Sequence, residues 1–320
     1  MSKLSALLTT LFFILFSEAA YPLFTTNGIA TSVGAFLKLP AGARASGMGE
    51  AFTAVSDDST AVYWNPAGLN LAEFCSVTLM HSIWFEGMTY DWVSAVFPTG
   101  LGKFGVGIQY MDYGSILETN VDGLDLGTFD PSDLSLAVSY GAEIGGVKFG
   151  LTAKYISLRI KSYTNMLAGD LGLIAPVELG GMKGRLGASI HNFGTDSVIF
   201  NGRESLPTSG NVGGALWLSP LWMVSAEAVF PLDSTVGFAA GTEFSIKADE
   251  SLTLTARAGY YTRSDPDNLT FGAGVKYESI AFDYAFEPFG DLGNTHRFSL
   301  TMEFGKQNKA KNASVYPKAD

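Results

Sequence analysis

Chemistry needs reactive groups at workable spacing, and this sequence holds few of them. His81, His191 and His296 stand far apart, and no pair has the four-residue separation that puts two imidazoles on one helix face around a metal. Cys75 is the sole cysteine, which excludes an internal disulfide and a thiolate cluster and leaves a small buried hydrophobe as its reading. Gly102, Gly105 and Gly107 around Lys103 have the composition of a phosphate loop. No helix follows to aim amides at an anion, so they read as close packing or a kink in a strand. A Gly-x-Ser-x-Gly nucleophile elbow with suitable partners is absent. Asp57 and Asp58 are adjacent carboxylates that suit acid–base work as a pair, or capping of the apolar helical run that follows them. The pattern is that of a chain without a catalytic centre, metal or cofactor.

The remaining charges sit singly within short alternating runs, so the elements carrying them decide their meaning. Hydrophobic residues make up 47% of the 320 and charged residues 16%, against about 25% charged in average soluble proteins. Beyond the first twenty residues every apolar run is broken well before the ~18 residues of a spanning helix. With 37 glycines and 23 phenylalanines among those short runs, many strands are favoured over long helices. Residues 1–19 combine Lys3, an apolar stretch over 4–16 and the small residues Ser17 and Ala19, the make-up of a cleaved secretory signal. A net charge of −11 argues against a nucleic-acid partner, which would call for clustered Lys and Arg.

From residue 76 onward one pattern repeats: eight to twelve residues alternating apolar with small or polar, then a turn rich in Gly, Pro, Asn or Asp. Leu252, Leu254, Ala256, Ala258 and Tyr260 share one face of such a run, while Thr253, Thr255, Arg257 and Gly259 share the other. Strands are expected near 76–84, 89–97, 103–112, 134–142, 147–158, 166–175 and 184–192. Seven more are expected near 209–218, 222–230, 236–246, 252–262, 268–277, 280–287 and 295–304. A total of about fourteen is even, as a bacterial single-chain barrel requires. Short and long connections alternate, with 113–133, 195–208 and 288–294 long and 178–183 a looser turn. The acidic loop 113–133 reads as solvated rather than as a calcium site, since its carboxylates lack ligand spacing.

A soluble sandwich also alternates, but it would need charge on nearly every outward position. Here the polar faces are mostly Gly, Ser and Thr, with scattered charges of both signs at Lys148, Lys154, Asp170, Arg185, Glu227, Glu243, Arg257, Lys276, Asp283, Arg297 and Glu303. Such a set suits a wet lumen, and the opposite, charge-free faces suit lipid. Trp84, Tyr90, Trp92, Tyr110, Trp217, Trp222, Tyr260 and Tyr261 lie near strand ends, where aromatic girdles form. The fold expected is an all-β transmembrane antiparallel barrel of about fourteen strands with a small N-terminal helical plug. Its organisation is a signal at 1–19, a plug segment at 20–74, the barrel at 75–304 and a polar tail at 305–320.

The plug segment is small and helical in texture, and Asn65, Pro66, Ala67 and Gly68 end it because proline cannot continue a helix. Arg44, Asp57 and Asp58 are placed to pair with lumen charges. The run Gly42-Ala43-Arg44-Ala45-Ser46-Gly47-Met48-Gly49-Glu50-Ala51-Phe52, followed by Asp57-Asp58-Ser59 and Tyr63-Trp64-Asn65-Pro66-Ala67-Gly68-Leu69, resembles the N-terminal signature of the PorV/PorQ family within the FadL-like outer-membrane barrels. The resemblance implies a fourteen-stranded barrel in a Gram-negative outer membrane, plugged by these residues. In FadL-type transporters the Asn-Pro-Ala turn, here Asn65, Pro66 and Ala67, lies against a wall opening through which hydrophobic ligands move sideways. The chain is shorter than typical fatty-acid transporters, chiefly in its outer loops, and its Lys-rich tail follows a final aromatic, Phe304. Two functions follow: a passive channel for small hydrophobic or amphipathic molecules, or an adaptor barrel that binds secreted proteins for a type IX machine. The partners are then outer-membrane lipid with either a hydrophobic small molecule or a secreted protein. A channel implies an apolar tunnel beside Asn65, Pro66 and Ala67, and an adaptor implies a sealed lumen with exposed apolar loop tips.

Overall fold

The computed structural model describes residues 32–199, 202–262, 269–289 and 293–305. The expected leader, and the expected tail beyond Gly305, lie outside the described residues. In chain order the strands are β1 (Cys75–Ile83), β2 (Thr89–Thr99), β3 (Gly102–Asp112), β4 (Ile116–Thr119), β5 (Asp125–Phe129), β6 (Ser132–Ile144), β7 (Val147–Arg159), β8 (Tyr163–Leu179) and β9 (Met182–Gly194). There follow β10 (Ser197–Ile199), β11 (Gly202–Glu204), β12 (Ser209–Ser219), β13 (Trp222–Pro231), β14 (Gly237–Lys247), β15 (Leu252–Tyr261), β16 (Leu269–Tyr277), β17 (Ile280–Pro288) and β18 (Asn294–Phe304).

Fourteen of these strands close into one antiparallel barrel, each bonded to the wall strand before and after it. β1 and β18 seal the wall, with Cys75 opposite Phe304 and Ile83 opposite His296. Closure leaves no open edge, so every wall strand satisfies its backbone groups within the sheet. The strands stand where alternation put them. β8 and β9 run longer than expected, and the looser turn is in fact Gly180–Gly181, whose φ values of +58° and +80° are left-handed values that glycine takes at little cost and that suit a two-residue hairpin turn.

The two faces separate cleanly by parity. Leu79, Val93, Phe104, Val106, Ile108, Leu136, Leu151, Phe238, Leu254, Phe271 and Phe282 point outward and form an apolar belt. His81 and Asp91 depart from the charge-free outer face, pairing at 2.7 Å on the outside of β1 and β2. Several expected girdle aromatics also face inward. Tyr90 and Trp92 are buried, Trp84 lies under the Arg297 guanidinium at 5.1 Å, and Trp217 lies under Arg185 at 4.7 Å. Tyr110, Trp222 and Tyr260 remain outward. Strand-end position alone does not set the face of an aromatic; parity and the N-terminal segment inside the barrel do.

That segment, residues 32–72, begins beside the long loops, where Val33 N–H donates to the Ser205 carbonyl at 3.0 Å, and ends at the short-turn end, where it enters β1. It is helical only in short pieces, Ala35–Lys38, Ala43–Ser46, Ala61–Trp64 and Pro66–Leu71, rather than a continuous helix. Positive φ at Gly42 and Gly49 bounds the run Ala43–Ser46, and extended backbone at Asn65 separates the last two runs. Its apolar side chains build the core: Phe36, Leu37, Val62 and Leu69 against Tyr90, Trp92, Val96 and Ile156, and Met48, Phe52 and Val55 against Ala215 and Met223. The expected acidic loop 113–133 carries the outlying hairpin β4–β5, turned about Asn120, whose Oδ1 accepts from the Asp122 and Leu124 amides at 2.9 Å.

Candidate functional site

The N-terminal segment is tied to the wall by buried ions. Arg44, in the turn Ala43–Ser46, donates from Nε and Nη2 to Glu243 of β14 at 2.8 and 3.0 Å, and from Nη1 to Asp57 at 2.6 Å and Asp58 at 3.3 Å. Asp57 lies 3.5 Å from Arg185 of β9. Arg257 of β15 joins from the other side, bonding Glu243 and, on β17, Asp283, each at 2.7 Å. A run of alternating charge thus crosses the lumen from wall to wall through the segment. Such a geometry suits a latch, since separating one buried ion from its partner leaves the other uncompensated.

The ionisation states follow from these contacts. Burial alone would lower the Arg44 pKa, but Asp57 and Glu243 outweigh it and hold the guanidinium charged. Burial alone would raise Asp57, yet Arg44 and Arg185 bring it below the usual carboxylate range. Asp58 goes the other way: burial raises it, Arg44 opposes only in part, and the charge on Asp57 adds to the rise. The two adjacent carboxylates therefore differ in role. Asp58 Oδ1 accepts from the Thr60 amide at 2.8 Å and its hydroxyl at 2.5 Å, ordering the turn before Ala61–Trp64, whereas Asp57 serves the latch.

Two further anchors hold the segment. Arg297 of β18, fully buried, donates to Ser46 Oγ at 2.8 Å and pairs with Glu287 of β17. Glu227 of β13 accepts from the Thr53 amide and hydroxyl, both at 2.8 Å, and from Asn211 Nδ2 at 3.0 Å.

The Asn65 turn is packed differently. Its carboxamide donates to the carbonyls of Thr53 at 2.8 Å and Leu173 at 3.1 Å, and accepts from the Ala67 amide at 3.1 Å. Pro66, Ala67 and Gly68 are buried, and a side chain at Gly150 of β7 would stand 2.1 Å from the Pro66 carbonyl carbon. At Gly68 a side chain would meet the Ser56 carbonyl oxygen at 1.9 Å. Across the barrel, Gly47 abuts Gly272 and Gly49 abuts Gly259, where an added Cβ would lie 1.9 Å from the Gly49 nitrogen. The third-strand glycines play the same part: Gly105 and Gly107 make room for Val62. Among the described residues backbone meets backbone here, and Asn65, Pro66 and Ala67 do not line the cavity described next.

That cavity, of about 340 Å3, occupies the half of the lumen toward the long loops. Its lining includes Tyr63, Trp64 and Glu50 from the N-terminal segment, Glu227 and Asn211 from the wall, and Asp233 from the loop after β13. Tyr63 is fixed by its hydroxyl on the Leu37 carbonyl at 3.2 Å and by Trp92 edge-on at 5.7 Å; Trp64 donates to the Ala41 carbonyl at 2.7 Å. On one flank the β8–β9 register slips, so that fully buried Asp170 faces two residues, His191 and Asn192. Asp170 accepts from the Asn192 amide and lies by Lys154, both at 2.8 Å, and lies 3.9 Å from His191.

All the charged strand residues singled out from the sequence lie on the inward parity. The structure gathers Arg185, Glu243, Arg257 and Asp283 with Arg44 and Asp57, and Lys154, Asp170 and Glu227 around the cavity. Lys148 pairs with Glu143 at 3.1 Å and Lys276 with Glu303 at 2.6 Å, both at the short-turn rim and apart from either group. Sequence reasoning missed Lys38 and Asp233, which bond at 2.5 Å, because a loop residue has no parity to read. It also missed Asn211 and Thr53, neutral residues whose inward position was legible for Asn211 in the alternation of β12.

The uncharacterised protein family UPF0164 matches residues 25–165. No curated protein sequence matches the chain. Among solved structures, the Ralstonia pickettii toluene transporter TbuX is similar, at 14% identity and a TM-score of 0.56, over 82% of this chain and 98% of that one. The Pseudomonas putida toluene transporter TodX gives 15%, 0.55, 82% and 96%, and a Pseudomonas aeruginosa FadL homologue gives 11%, 0.53, 83% and 99%. At such identities the likeness is one of fold, and the fold is the FadL-like barrel.

Proposed function

We propose that this chain is an outer-membrane channel for passive movement of small hydrophobic or amphipathic molecules, closed by its own N-terminal segment. The observation that carries the reading is the division of one lumen into an outward-opening cavity of about 340 Å3 and a latched stretch beneath it. A purely structural barrel has no need of a hollow ending on Tyr63 and Trp64. The apolar belt fits lipid, the long loops fit the cell exterior, and export through the leader at 1–19 accounts for delivery to a Gram-negative outer membrane. The toluene-transporter names of TbuX and TodX support hydrophobic cargo, and downhill flow needs no energy source.

The adaptor reading linked to PorV/PorQ draws on one observation, the β4–β5 hairpin, which exposes Leu117, Val121, Leu124 and Leu126. One experiment separates the two. The mature barrel is purified in mild detergent and its companions are identified by mass spectrometry, beside an Asn65→Ala variant. A single enriched hydrophobic species, changed in amount by the variant, supports the channel. A co-purifying polypeptide without bound small molecule moves the assignment to the adaptor.

A further inference from the structure

The cavity meets both apolar clusters of the lumen at one side chain. Tyr63 packs against each cluster and also lines the cavity. From Ala61 to Leu69 every other residue is buried, whereas Tyr63 keeps part of its surface open. Its hydroxyl donates to the Leu37 carbonyl at 3.2 Å. Its ring stands nearly perpendicular to two others, Trp64 with centroids 4.8 Å apart and Trp92 with centroids 5.7 Å apart. Trp64 belongs to the cluster of Phe52 and Val55, and Trp92 to the cluster of Leu37 and Val62. The Tyr63 ring is thus held by a tryptophan from each cluster and at its tip by a backbone carbonyl, and it opens on the cavity. A ring fixed at three points is a firm stop for whatever enters, because side chains packed in this way yield little volume without strain.

We infer that Tyr63 is the size-limiting residue of the cavity: the apolar end of a cargo molecule stops against its ring, and only short amphipathic molecules are held. The inference deepens the channel reading and rests on it for passage. A volume of about 340 Å3 already places the cavity near the small end of the range for binding pockets. Beside the Tyr63 ring stand the rings of Trp64 and Trp92, so truncation vacates a space with apolar walls. A dry apolar void of roughly 150 Å3 accepts a molecule the size of benzene, and a longer cargo then fits where the wild type excludes it. Truncation also frees the Leu37 carbonyl. Tyr63→Phe frees that carbonyl alone, which separates the lost bond from the lost ring.

A series with one head group and a growing apolar body tests this on the full barrel in nanodiscs: benzyl alcohol, 2-phenylethanol, 4-phenyl-1-butanol and 6-phenyl-1-hexanol, titrated by calorimetry against empty nanodiscs. In the wild type, affinity should rise about fourfold with each added methylene until the body reaches Tyr63, and then fall. In Tyr63→Ala the rise should run on to 6-phenyl-1-hexanol, which should bind at least about tenfold more tightly than it does to the wild type. Tyr63→Leu, a milder truncation, should move the break part of the way, and Tyr63→Phe, which keeps the ring, should keep the break. The heat-dependent gel mobility of a folded barrel checks each variant. A break that stays in place in folded Tyr63→Ala or Tyr63→Leu, one that moves as far in Tyr63→Phe, no break in the wild type, or no binding of any member would overturn the inference. Flux of the same series into proteoliposomes keeps the two claims apart. Flux of every member without a break sinks the size limit and spares the channel, whereas a break in binding without flux of any member sinks the channel and spares the role of Tyr63.

Discussion

Replacing Arg44 by methionine should unlatch the N-terminal segment. The guanidinium bonds Glu243 through two nitrogens and reaches Asp57 and Asp58 with a third, all within 3.3 Å. Removing one partner from a buried ion pair costs about 3–5 kcal/mol. Arg44 is 21% exposed, and Glu243 and Asp57 keep Arg257 and Arg185, so the low end, about 3 kcal/mol, applies here. At about 1.4 kcal/mol per factor of ten, the population with the segment displaced rises on the order of a hundredfold. Single-channel recording in planar bilayers reads that population as the fraction of time spent conducting. Arg44→Lys should fall between wild type and Arg44→Met, because a single ammonium cannot span the fork to Glu243 and the two aspartates at once. An open fraction for Arg44→Met within about threefold of wild type, in a barrel shown to be folded, would refute the latch and with it the closed-channel reasoning; the threefold margin corresponds to less than about 1 kcal/mol.

Gly259→Ala should displace the segment sterically, because the new methyl would sit 1.9 Å from the Gly49 nitrogen and 2.2 Å from the Met48 carbonyl carbon; overpacking of this kind costs about 1–3 kcal/mol or more, read as faster hydrogen exchange over residues 43–52. Asn65→Leu keeps the branching and heavy-atom count but deletes bonds to Thr53, Leu173 and Ala67, and should lower the thermal midpoint through a loss of about 2–4 kcal/mol. The pH dependence of closure should have two limbs. Asp57, depressed in the closed state, contributes closure that is present above the ordinary carboxylate pKa and lost as pH falls below it. Asp58, raised in the closed state, contributes closure that is present below the ordinary value and lost as pH rises through its elevated one. Conductance against pH should therefore pass through a minimum in the acidic range, with Asp58→Asn flattening the upper limb and Asp57→Asn the lower; a monotonic profile in wild type contradicts the assignment.

The wall was legible because a barrel strand has a period of two away from its bulges: Thr253, Arg257 and Gly259 share a face. The same rule located the inward charges. It could not say which of them would meet, since Glu243 and Asp283 reach Arg257 across strands while Lys276 and Glu303 pair alone at the rim. Parity, and not their place near strand ends, sets the face of Tyr90 and Trp92, which are buried against Leu39 and Tyr63. The N-terminal segment was the least legible part. Its small residues suggested a helix by composition, whereas positive φ at Gly42 and Gly49 and extended backbone at Asn65 divide it into short pieces. The cavity was invisible in the sequence because it depends on Asp233 in a loop and on a register slip at Asp170, neither of which has a periodic signature.

The two ends of the contact between segment and wall differ in what a displacement would break. On the side of β7 and β8, the Asn65 turn is held by backbone contacts at Gly150 and by carbonyls of the segment and of the wall, with every member buried. On the side of β14 and β15, the stretch 43–50 is held by the Arg44 ions, about one-fifth exposed, together with buried Arg297 on Ser46 and backbone contacts of Gly47 and Gly49 with Gly272 and Gly259. Withdrawing the whole segment would break both sides together with two apolar clusters, and the costs would add. Moving 43–50 alone breaks the Arg44 and Arg297 contacts, the wall bonds of the Ala43 and Gly49 amides and the Ala45 and Met48 part of one apolar cluster, but leaves the Asn65 turn seated. Glu50 already lines the cavity, so that smaller motion would extend the hollow downward along β13, β14 and β15. On the channel reading we therefore propose that opening takes place on the latch side of the lumen, with the Asn65 turn as the fixed end.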